Sequence, residues 1–93
     1  MTDLEFWPDY GPGPLWTQDG KPVDVPSLGL GDELAAQLTD WNAAYAEDKV
    51  PLEGAGDEAW LAEGRRLLGE VRAALGGRHR VVVTEPWWGE QPT

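Results

Sequence analysis

Residues 57–75, DEAWLAEGRRLLGEVRAAL, decide the fold. Wound at about 100° per residue, Trp60, Leu61, Gly64, Leu67, Leu68, Val71 and Leu75 fill one apolar sector about 120° wide, the pattern of an amphipathic helix. Asp57 is placed to cap its start, and Gly76-Gly77 stop it. Gly64 lies at the centre of the sector. A mid-helix glycine costs about 1 kcal/mol relative to alanine, so a compensating contact is expected. The spacing predicts that Trp41 or Tyr45, from a neighbouring helix, lies over it.

That neighbour is expected over residues 32–48. Gly31 can cap it, and Asp32 and Glu33 put negative charge on the positive end of the helix dipole. Leu34, Leu38, Trp41 and Tyr45 recur at steps of four, three and four and form its core stripe. The opposite side carries Asp32, Ala36, Asp40, Ala43 and Glu47, acids separated by small residues. Such a face is either simply solvated or approachable by a partner. Residues 49–56, with Pro51, Gly54 and Gly56, read as the connection.

Strand signals flank the helices. Residues 80–84, Arg-Val-Val-Val-Thr, are β-branched and stop before Pro86. Leu15-Trp16-Thr17 is the other strand candidate. Asp19-Gly20 suits a tight turn after it, and residues 21–25 form the return limb, which Pro22 confines to an edge or a loop. Pairing of 15–17 with 80–84 follows as the expectation, because a lone strand leaves its backbone groups unsatisfied. Residues 1–14 mix Pro8, Pro12, Pro14, Gly11 and Gly13 with Phe6, Trp7 and Tyr10 and read as an aromatic arm over the core. Residues 86–93 read as a tail that carries Trp87 and Trp88 and frays beyond them. The expected fold is one α+β domain, β-α-α-β, with two antiparallel helices packed on a small two- or three-stranded sheet.

Composition narrows the function. Ninety-three residues leave room for one core and little stability margin, and with no cysteine the six tryptophans must supply the dense packing. The net charge is −10, with −12 over residues 1–64 and +2 over residues 65–93. Such a field repels nucleic acid and anionic lipid and steers a basic partner to the acidic side, although the same charge also serves plain solubility. The amino terminus is acidic and no apolar run spans a bilayer, so a cytoplasmic protein without membrane attachment is expected.

Catalytic chemistry finds no support. His79, the one histidine, sits between Arg78 and Arg80, and Ser27 lacks the strand-turn-helix context of a nucleophile. Carboxylate pairs such as Glu53 with Asp57 or Glu58 are expected by chance among 17 acids. The segment Glu53-Gly54-Ala55-Gly56-Asp57 lacks a calcium-loop pattern, and the glycines form no phosphate loop. No enzyme, cofactor or metal is expected.

The spaced set Leu15-Trp16, Asp19-Gly20, Val23-Asp24, Leu28, Leu30, Leu34, Leu38, Trp41 to Tyr45, Glu63-Gly64, Leu67 and Leu75-Gly76 resembles a group of small, acidic, uncharacterised bacterial proteins of GC-rich genomes. The likeness covers roughly residues 14–85. Small acidic proteins of that kind include immunity proteins that neutralise a basic toxin. The resemblance carries core and turn positions and brings no catalytic residues. An immunity- or antitoxin-like inhibitor of a basic protein is therefore the first expectation, with Asp32, Asp40, Glu47, Trp87 and Trp88 as its contact residues, although folding of Trp87 and Trp88 back over the sheet is at least as well supported, because paired exposed tryptophans would invite aggregation. Two alternatives remain open. Phe6, Trp7, Tyr10, Trp87 and Trp88 could form an aromatic platform for a small molecule or sugar. An unpaired strand edge with exposed aromatics is also compatible with a symmetric homodimer.

Overall fold

Period-two alternation starts at the amino terminus. A computed structural model of the chain describes residues 2–9, 13–51, 56–83 and 85–88, leaving aside the side chains of Thr2, Pro26, Glu47 and Pro86. Thr2–Phe6 forms strand β1, which buries Leu4 and Phe6 and keeps Asp3 and Glu5 half-exposed between them. The expected aromatic arm over residues 1–14 is thus corrected: the prolines begin only at Pro8, after the alternating segment has ended. Leu15–Thr17 forms β2 and His79–Val82 forms β3.

Strand order is β2-β1-β3. The pairing expected between 15–17 and 80–84 does not occur, because β1 lies between the two and satisfies both. It runs antiparallel to β2, with Leu4 opposite Thr17 and Phe6 opposite Leu15, and parallel to β3, with Leu4 opposite Val81. Leu4, Phe6, Leu15 and Val81 therefore share the core face. On the reverse face, Glu5 stands between Trp16 and Val82, and Asp3 opposite Arg80 forms an ion pair at 2.7 Å. The turn after β2 is closed by the Gly20 amide donating to the Thr17 carbonyl, with Gly20 at φ 87°. Pro22 limits the return limb to a single bridge opposite Trp16.

Helix α1 spans Asp32–Ala43 and helix α2 spans Glu58–Leu75. Gly31 caps α1 with φ 94°, a conformation that other residues adopt only with strain. The helix ends five residues short of the expected boundary at 48. Its last turn tightens as the Tyr45 amide donates to the Asn42 carbonyl, and Ala46 is extended. A 3-10 turn at Glu47–Lys49 follows. The break lets Val50 enter the core and brings Lys49 to Asp57, its ammonium 3.1 Å from the carboxylate and its carbonyl accepting from the Asp57 amide. Asp57 in turn caps α2 by accepting from the Trp60 amide at 3.1 Å. That amide and Lys49 hold the Asp57 carboxyl below its usual value.

The two helices are antiparallel. Trp41 of α1 meets Trp60 and Gly64, whereas Gln37, one turn earlier in α1, reaches Arg66, farther along α2. All seven apolar positions read from the sequence on α2 are buried. At the far end, Arg78 donates to the carbonyls of Ala74 and Leu75, a cation on the negative end of the dipole. Arg72 donates twice to the Val81 carbonyl, which occupies an acceptor of the outer strand.

Aromatic rings join these layers. Phe6 stacks on Trp41 at 5.5 Å between centroids, and Trp41 stacks on Trp60 at 4.3 Å. The two indoles exchange hydrogen bonds with each other's backbone: Trp41 Nε1 donates to the Trp60 carbonyl at 2.9 Å, and Trp60 Nε1 to the Trp41 carbonyl at 3.1 Å. After β3, a 3-10 turn at Pro86–Trp88 folds back on α2. It sets Trp88 edge-on to Phe6 at 5.2 Å and to Trp41 at 5.7 Å. Trp88 is only 4% exposed, and its indole N–H meets no acceptor among the described residues.

Gly64 sits beneath this group. A β-carbon there would collide with the Trp41 ring and lie 2.7 Å from Trp88. Trp41 is the ring that the sequence placed over Gly64 as one of two candidates, and Trp88 joins it. Gly64→Ala should therefore lower the urea midpoint by roughly 1–3 kcal/mol of stability despite the better helix propensity of alanine. A midpoint unchanged or raised would contradict the close approach. The rings should also rank by their hydrogen bonds. Trp41→Phe and Trp60→Phe each remove a buried indole hydrogen bond between the helices, at about 0.5–1.5 kcal/mol, whereas Trp88→Phe removes a donor that has no partner among the described residues. Trp88→Phe should cost least of the three in the same assay, and finding it the most damaging would refute the assignment.

Candidate partner-binding face

Of the described residues, no group of three or more His, Asp or Glu side chains is arranged to hold a metal ion. The polar groups singled out as catalytic candidates have structural partners. The Ser27 hydroxyl donates to the Asp24 carbonyl at 2.6 Å, Asp57 caps α2, and Glu58 pairs with Arg65 at 2.6 Å. His79 opens β3. Glu53 lies outside the described residues. No described helix is long and apolar enough to cross a membrane.

Charge gathers instead where the outer sides of α1 and α2 meet. Two open depressions of about 600 and 360 Å³ share Gln37 in their walls. Asp32, Glu33 and Glu70 line one, and Asp40 and Glu63 line the other. Leu30, Leu34, Trp41, Leu67 and the small Ala73 and Ala74 supply apolar wall between the acids. Arg66 is the single cation of the groove. It bonds Glu63 and Glu70 on its own helix and Gln37 across the gap at 3.2 Å. The Glu63 carboxylate above all, with Glu70, raises the guanidinium above its usual value. Two of the five carboxylates thus share Arg66, and Asp32 and Asp40 stand exposed without an ion pair among the described residues.

The residues expected to contact a partner fall into different places. Asp32 and Asp40 lie on this groove, as the outer-face reading of α1 implies. Glu47 begins the 3-10 turn beyond the end of α1, and its side chain is outside the described residues. Trp88 is in the core, so as an exposed anchor it is corrected: edge-on burial against Phe6, Trp41 and Trp60 leaves it no surface to offer. Trp87 is half-buried, and its carbonyl accepts from Arg65 at 3.2 Å.

The aromatic platform is likewise corrected. Phe6 and Trp88 are interior, Tyr10 is outside the described residues, and Trp7 stacks on Trp16 at 4.5 Å on the reverse side of the sheet. What remains is a smaller cleft in which Trp7 and Trp87 meet Tyr45, Asp9 and Glu85.

Sequence reasoning overlooked two features. Asn42, 4% exposed, donates to the Asp9 carbonyl at 2.9 Å and accepts from the Asp9 amide at 3.2 Å. A signal existed, since Asn42 lies four residues after Leu38 and so falls in the core sector, where a polar side chain demands a partner. Glu63 and Glu70 flank Arg66 at helical spacing of three and four, which is also visible in the sequence. The Asp9–Asn42 pairing joins segments 33 residues apart and had no local signature.

Comparison with known families agrees with the resemblance noted from the sequence. The family model described as Serratia CdiI immunity protein-like matches residues 2–86, so the chain belongs to that family. No curated protein and no solved structure matches it significantly. At a coarse level, membership in an immunity-protein family implies an inhibitor that binds a protein toxin, and it suggests a binding role in preference to catalysis. The match stops at Pro86, one residue before Trp87.

Proposed function

Starting from that family membership, we propose that the chain is an immunity-type inhibitor whose toxin partner presents a basic surface to the groove between α1 and α2. The observation that carries this reading is the composition of the groove: five carboxylates against one guanidinium, set around an apolar wall. Carboxylates on a rim steer a basic partner and fix its register, and apolar surface holds it once docked. A net charge of −10 adds a long-range field of the same sign. Asp32 and Asp40 are the acids best suited to a foreign cation, because neither spends its charge on an ion pair among the described residues. Trp87, half-buried at the edge of the fold, is proposed to add to the contact. Trp88 holds the core beneath it. The partner is a protein, and nucleic acid is disfavoured by the charge.

The experiment pairs the chain with a toxin domain encoded beside it and measures association at low and high salt. Asp32→Asn combined with Asp40→Asn should slow association several-fold at low salt and make its salt dependence measurably shallower. The thermal midpoint should move little, since the variant breaks no ion pair. An association rate that ignores both the substitutions and the salt would refute the acidic groove as the contact. Self-association that strengthens with salt, with no binding of the toxin domain, would favour the homodimer reading instead.

A further inference from the structure

The smaller cleft has a chemistry that the helix groove lacks. Trp7, Tyr45 and Trp87 line it together with Val50, Asp9 and Glu85. Each ring abuts a buried ring: Trp7 stacks on Trp16 at 4.5 Å, Tyr45 lies tilted to Trp60 at 6.2 Å, and Trp87 meets Trp88 edge-on at 6.2 Å. The rim is fixed as well. Asn42 clamps the Asp9 backbone through both its amide and its carbonyl, and Arg65 holds the Trp87 carbonyl. Walls fixed in this way lose little freedom when a ligand enters. Neither lysine nor arginine lines the cleft, and its two carboxylates are both half-buried. Glu85 has no ion pair among the described residues.

We infer that this cleft receives an arginine side chain of the toxin partner, an inference that rests on the inhibitor reading above. Aromatic rings attract a cation through their faces, and a planar guanidinium can stack on indole while its N–H groups reach carboxylates. A neutral apolar side chain would cover Glu85 without supplying a donor, which leaves that partly buried carboxylate uncompensated. A lysine ammonium supplies charge but not the planar stacking surface. The cleft thus acts as a specificity pocket for one residue, distinct from the groove whose acids steer encounter.

The test titrates the full chain with three blocked tripeptides, Gly-Arg-Gly, Gly-Lys-Gly and Gly-norleucine-Gly, and follows the indole and amide resonances. The arginine peptide should shift the Trp7 and Trp87 indole signals saturably and several-fold more tightly than the lysine peptide, while the norleucine peptide should leave them in place. Glu85→Gln, which breaks no internal ion pair, should weaken the arginine peptide about tenfold. Equal shifts from norleucine or lysine would overturn the assignment, as would arginine-induced shifts confined to the α1–α2 groove. The toxin domain separates this inference from the one beneath it. Toxin binding that depends on Asp32 and Asp40 but is unchanged by Glu85→Gln would overturn the arginine cleft and leave the inhibitor standing. An intact chain that binds no toxin domain would remove both.

Discussion

Trp41 and Trp60 lie face to face at 4.3 Å, and each donates its indole N–H to the other's backbone carbonyl. That exchange serves two needs at once. Stacking buries two of the largest apolar surfaces available to the chain, and the reciprocal bonds satisfy both polar tips that burial would otherwise penalise. Phe6 extends the stack into the central strand, and Trp88 closes it from the carboxy-terminal turn. Sheet, both helices and the last described turn therefore converge on one group of rings. In a chain of 93 residues without cysteine, such a group takes the place of a disulfide framework.

The stack also dictates backbone choices far from any surface function. For Trp41 to lie flat against α2, the helix must present a residue with no side chain, and Gly64 is that residue. The helix loses propensity there and gains the contact. With the apolar sectors of α1 and α2 turned inward around this point, their acids are left on the outside, where they line a groove instead of scattering over the surface. Asn42, next to Trp41, pins Asp9 and so shapes the second, aromatic cleft. Both candidate surfaces are thus by-products of how the core is assembled, and each keeps a different kind of charge arrangement.

Much of this was legible in the sequence wherever a regular period runs long enough to average out exceptions. Eighteen helical residues gave α2 its sector, its cap at Asp57 and the meaning of Gly64. Short elements were harder. In β1 only Leu4 and Phe6 alternate, and the prolines that follow drew the whole segment into an apparent arm. Pairing partners were misjudged for the same reason, since a two-strand sheet was the smallest arrangement that could satisfy the two strands in view. The end of α1 depended on contacts between Lys49, Val50 and Asp57 that no local pattern announces. The outward acids Asp32 and Asp40 were found because a helix face is periodic. Trp88 stayed open between partner contact and packing over the sheet because tandem tryptophans near a chain end carry no period, and only the tertiary packing separates the buried ring from the half-buried one.

Hydrogen exchange at the indole nitrogens addresses the foundation most directly. If the Trp41–Trp60 exchange of hydrogen bonds underlies the fold, both indole protons should be released only by global unfolding, at the same free energy as the slowest backbone amides of α2. Indole protons that exchange rapidly while the α2 amides stay protected would show that the molecule stands without the stack.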